Sequence, residues 1–162
     1  MPQPLRLAAV LMLLLAAPAQ AHHRATKSAV SSALTIAQAY WHSATACPGG
    51  TYQGTQVVDL PTTPAKTVFA TGADGALTCR ILLARRYFGP GRALRTAFAC
   101  KVVVHEWGHL TGFTEPGGPY GGHHSWDPNN VMFDRWSATN IPPACVKLER
   151  DHSLDPQSVR RS

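Results

Sequence analysis

The chain has no apolar run long enough to cross a bilayer. Its main hydrophobic stretch, Leu7 to Ala17, falls well short of the about 20 residues that a transmembrane helix needs. An integral membrane segment is therefore not expected. Acidic residues are scarce, 9 against 15 lysines and arginines, which leaves a formal net charge of +6. That surplus is dispersed: Arg80, Arg85, Arg86, Arg92 and Arg95 cluster only loosely. Aromatic residues do not interleave with them as they do on single-stranded nucleic-acid platforms, so nucleic acid is not an expected partner. Helix signals are few between residues 43 and 91, where Pro48-Gly49-Gly50, Pro61, Pro64 and Ala73-Asp74-Gly75 mark turns. Cysteine is limited to Cys47, Cys79, Cys100 and Cys145, at spacings that form no cysteine-zinc motif.

What is present begins with a leader. Arg6, the apolar run and Ala19-Gln20-Ala21 have the order of a secretory signal peptide cleaved after an A-x-A site. The expectation is a secreted, extracellular protein whose residues 22–162 form a single domain. In an exported chain of this size an even cysteine count argues for two disulfides, with three possible connectivities. Cys100 with Cys145 and Cys47 with Cys79 is the favoured set.

From Lys27 to Trp41, Val30, Ala33, Leu34, Ala37 and Trp41 recur at helical spacing, which predicts an amphipathic helix with Trp41 in the core. Strands are expected at 51–60, 67–70 and 77–88. After the break at Gly89-Pro90-Gly91, a helix is expected within Arg92 to Thr111, although Val102-Val103-Val104 is β-branched and has strand propensity. Ala99, Val103, Trp107 and Leu110 would form its apolar face. A closing helix is expected over Ala144 to His152, after Pro142-Pro143, and a frayed tail from Gln157 to Ser162.

The chemistry centres on His105-Glu106-Trp107-Gly108-His109. Residues four apart share a helix face, so His105 and His109 can both aim a ring nitrogen at one ion, at roughly 2.0–2.1 Å for zinc. Glu106 stands to one side of that face, where its carboxylate can reach a water on the metal without occupying it, as a general base requires. Gly112 follows where a helix that must stop sharply places a residue able to adopt positive φ. Phe113 is then expected to pack near Trp107.

The run from His105 to Gly112, with His124-Ser125-Trp126-Asp127-Pro128 and Met132, resembles the metzincin clan of zinc peptidases and most closely its matrixin-like branch. That clan's extended pattern is HExxHxxGxxH, followed by a methionine turn. Here Glu115 stands where the third His belongs, and the matrixin-like His-Ser-x-Asp-Pro appears only from His124 onward. Residues 115–123, rich in Gly and Pro, therefore read as an inserted loop. The resemblance implies His105, His109 and His124 as zinc ligands, with His123 and Glu115 as rivals for the third position. It implies Glu106 as the catalytic base and Met132 in the turn beneath the metal. Asp127 is expected to accept a hydrogen bond that orients a ligand imidazole or a turn amide.

The implied fold is an α+β zincin domain: a twisted, mostly parallel sheet with an N-terminal helix and an active-site helix, then a small C-terminal subdomain with the methionine turn and closing helix. The implied activity is a secreted, zinc-dependent endopeptidase acting on a protein or peptide substrate as a monomer, with the peptide adding to a sheet edge. Some relatives assist the oxyanion with a Tyr after the methionine. Phe133 occupies that place here, and Tyr120 in the inserted loop is the substitute. The alternative is a non-catalytic secreted module that binds a cell-wall or matrix polymer through its basic surface. In that case Glu115, His123 or Asp127 would close a four-ligand site.

Overall fold

A computed structural model describes the backbone of residues 17–44, 46–88, 95–133 and 140–153, with side chains from residue 29 to 151 within those spans. The elements are helix α1 (Ala17–Tyr40), strands β1 (Gly50–Val58), β2 (Ala65–Thr71) and β3 (Leu77–Ala84), and helices α2 (Thr96–Leu110) and α3 (Pro143–Ser153). Single helical turns lie at Arg85–Phe88 and Pro119–Gly122. Helix α1 runs through the expected cleavage point after Ala21. None of the described helices is long and apolar enough to cross a membrane. Arg92, at the start of the span expected to contain the second helix, and the tail from Gln157 fall outside the described residues.

The chain is an α+β structure whose sheet corrects the expected mostly parallel arrangement. Its order is β1-β3-β2, with β1 parallel to β3 and β2 antiparallel to it. The reason is local. Gly72 to Ala76 closes a hairpin in which Gly72 N–H donates to Ala76 C=O at 2.9 Å and Asp74 Oδ1 accepts from Ala76 N–H at 3.0 Å. A turn this short joins only antiparallel neighbours. β3 thus inserts between the two strands that precede it and leaves β2 as an edge.

The expected strand from Leu77 to Phe88 ends at Ala84, because the pairings stop at Val58 with Ala84 and at Ala65 with Leu83. With no strand beside it, Arg85–Phe88 takes one helical turn. Arg85 pairs with Asp59 at 3.2 Å and Arg95 with Glu149 at 3.1 Å, so part of the basic surplus is locally balanced.

Helix α2 packs against α1, α3, β2 and β3. Val102, Val103 and Val104 are fully buried along it, as are Trp107 and Leu110. Apolar neighbours on several sides outweigh the valines' strand propensity, which is a small term by comparison. The helix is buried nearly all round, not on the single face expected, and Ala99 is only partly covered. From α1, Ala33 and Ala37 enter the core, with Val30 and Leu34 packed against it, as is Trp41 just past the helix end.

Cys100 and Cys145 form a disulfide between α2 and α3 that closes a sequence separation of 45 residues. In the chain-entropy picture such a closure stabilises by about 4 kcal/mol. Cys47 and Cys79 stand as buried, neighbouring thiols and not as the expected second disulfide. Burial, followed by the adjoining Cys47 thiol, pushes the Cys79 thiol up to about 12.

Candidate metal centre

Among the described residues, His105, His109 and His124 come together, each offering a ligand atom within 4.8 Å of the others. Their ring centroids are 4.9 Å apart for His105 and His109, 5.1 Å for His105 and His124, and 4.8 Å for His109 and His124. Helical pitch sets the first distance. The other two depend on how the chain leaves α2 and comes back.

It leaves through a Schellman cap. Gly112 N–H donates to His109 C=O at 3.2 Å and Phe113 N–H to Gly108 C=O at 3.0 Å, with Gly112 at φ +81°. Phe113 does not pack on Trp107 as expected. Its ring meets Trp41 edge-on at 5.7 Å, while Trp107 meets Tyr52 at 5.4 Å. The cap explains the difference: the residue that would normally receive Phe113 is Gly108, which has no side chain. Trp41 fills that place and donates its indole N–H to Val104 C=O at 2.8 Å.

The chain returns through a loop closed by its own backbone. Glu115 N–H donates to Gly122 C=O at 2.7 Å, Gly118 N–H to Glu115 C=O at 2.9 Å and His124 N–H to Pro119 C=O at 3.3 Å. The Glu115 carboxylate accepts from Trp126 N–H at 3.4 Å, so it braces the loop and lies outside the imidazole cluster. His123 is exposed. Asp127 accepts from Asn129 N–H at 2.8 Å, an amide of the following turn. Tyr120 takes a left-handed backbone, φ 52° and ψ 46°, and its ring stands edge-on to His124 at 5.1 Å while remaining 72% exposed.

The turn that carries Met132 then packs against the helix. Met132 is fully buried, and a Cβ on Gly108 would lie only 2.5 Å from its sulfur. Asn130 Oδ1 accepts from Met132 N–H at 2.9 Å, and Met132 C=O accepts from Ser125 N–H at 2.8 Å. Next to the methionine, the Val131 carbonyl lies 2.8 Å from His105 Nδ1. A carbonyl can only accept, so Nδ1 carries the proton and Nε2 keeps its lone pair.

Burial draws His105 down to about 4, opposed by the Val131 hydrogen bond and aided by His124 and Lys101. Burial also takes His109 down to about 3, with further contributions from His105, His124 and His123. Both rings are neutral at pH 7, as a metal ligand must be. Three donors held tetrahedrally at about 2.1 Å stand about 3.4 Å apart, so small side-chain rotations would close this set on a zinc ion. The donor chemistry fits the metal.

Glu106 is 3% exposed and lies next to this cluster in sequence. Burial raises its carboxyl to about 7, against the opposing pull of hydrogen bonds from the Thr67 side chain and backbone. Thr67 Oγ1 is 2.7 Å from Glu106 Oε2. Sequence reasoning assigned Thr67 only to a strand. No local pattern singles it out, because 39 residues separate the partners.

The fold and cluster define a small α+β domain in which two histidines of a buried helix meet a third from a returning loop. Comparison with known protein families, curated proteins and solved structures finds no match to the chain.

Proposed function

We propose that the chain is a secreted, zinc-dependent endopeptidase of matrixin-like design, with His105, His109 and His124 as the metal ligands and Glu106 as general base. The observation that carries the reading is the convergence of three imidazoles, two of them held neutral by burial, with the buried Glu106 next to His105 in sequence. When bound, zinc supplies a Lewis acid that polarises a peptide carbonyl and lowers the pKa of a water molecule. The engagement of Glu115 and Asp127 with backbone amides supports a set of three protein ligands with an open fourth position.

In this reading the protein's own groups divide the work. The Val131 carbonyl fixes the His105 tautomer. Glu106 takes the proton from the attacking water and hands it to the leaving amine. The edge strand β2 lies against α2 and offers main-chain groups to an extended peptide. Tyr120, exposed beside His124, supplies the hydroxyl that Phe133 lacks for the oxyanion.

The test is Glu106→Gln in zinc-loaded protein. Zinc content is expected to stay at the wild-type level while hydrolysis of unfolded casein falls by roughly 10²-fold or more. Undiminished cleavage would overturn the mechanism.

A further inference from the structure

We propose that Thr67 is a positioning residue for Glu106: its hydroxyl, donated from the edge strand β2, fixes the orientation of the carboxylate by bonding Oε2. This inference rests on the endopeptidase reading and deepens it.

Glu106 is a helix residue with three side-chain torsions, and no covalent feature of α2 fixes the rotation of its carboxyl plane. Thr67 Oγ1 lies 2.7 Å from Glu106 Oε2 and 3.0 Å from the Glu106 main-chain carbonyl. A hydroxyl carries one proton, and both neighbouring atoms are acceptors. The shorter contact is to the carboxylate, and charge-assisted bonds are the stronger ones, so when Glu106 is ionised the proton goes to Oε2. The main-chain carbonyl then marks where Oγ1 can sit without moving the helix.

Thr67 is itself well anchored. Its β-branched side chain is stiff at χ1. Its backbone is registered opposite Ile81, a fully buried residue of the central strand. Ala65, on the same side of β2, is buried and Thr67 is half-buried, so this face of the edge strand is turned toward the helix. The sheet therefore supplies a rigid reference point for the general base, which matters because small misplacements of a catalytic group are costly in rate. A valine at position 67 keeps the shape and removes only the hydroxyl. A serine keeps the hydroxyl and loses only a methyl group.

The experiment compares wild type, Thr67→Val, Thr67→Ser, Glu106→Gln and the double variant, all zinc-loaded, by zinc content, thermal midpoint, and kcat and KM on a quenched-fluorescent unfolded casein. For Thr67→Val the expectation is a kcat lower by about tenfold or more, with KM and zinc content unchanged. Thr67→Ser should recover kcat to within about threefold of wild type, and Thr67→Val should add no further loss on top of Glu106→Gln. A Thr67→Val kcat within twofold of wild type would overturn the inference, as would a Thr67→Ser variant as impaired as the valine. If Glu106→Gln is inactive while Thr67→Val is fully active, this inference alone fails. If wild type itself does not cleave, the endopeptidase reading fails and this one with it.

Discussion

His105 and His109 reach the cluster from one continuous helix, whereas His124 reaches it at the end of a loop that leaves at Gly112 and closes on its own backbone. The helical pair is set by a local period, and its members would face one another on any straight helix. His124 is set by several non-local agreements: the Schellman exit, the ring from Glu115 to Gly122, and the turn that returns Met132 beneath α2. The two regions meet at a few atoms, chiefly Val131 C=O on His105 Nδ1 and the Met132 sulfur against Gly108. A site of this kind gets its orientation from the helix and its completeness from the loop.

The sharpest way to break that meeting is Gly108→Ala. The new Cβ would stand 2.5 Å from the Met132 sulfur and 2.6 Å from Trp41 Cζ2. The indole is fixed by its bond to Val104, so the fully buried Met132 side chain must shift and press on its turn. Overpacking of this sort costs about 1–3 kcal/mol, read as a lowered midpoint in urea unfolding. Because the turn also carries Val131, zinc affinity is expected to fall with stability.

Gly112→Ala probes the exit with less disturbance. At φ +81° an alanine is strained, while a Cβ there meets nothing within 4 Å. The expected loss is about 1 kcal/mol, from backbone alone, with zinc affinity retained. Equal losses of zinc affinity in the two variants would erase the distinction between a local cap and a non-local contact.

How much of this was legible in the sequence follows the same division. The α1 core positions, the helical reading of Val102 to Val104 and the closing helix were all accessible from periodicity and from proline and glycine placement. The proximity of His105 and His109 required only the helix. The direction of β2 was not read, although the Ala73-Asp74-Gly75 turn that enforces it was visible, because pairing is a property of two segments and not of one. The contact of Phe113 with Trp41 was missed because the cap was read without the gap that Gly108 leaves. Thr67 was invisible for a similar reason: a threonine in a strand means little until the helix opposite presents a buried carboxylate.

The placement of His124 is the decisive point, since it lies beyond the loop that Glu115 and Gly122 close, with Glu115 three residues after Gly112. Zinc stoichiometry by elemental analysis of wild type, His124→Ala and Glu115→Ala tests it most directly. The account predicts an equimolar amount of zinc in wild type and in Glu115→Ala, and its loss from His124→Ala. Retention by His124→Ala with loss from Glu115→Ala would contradict it.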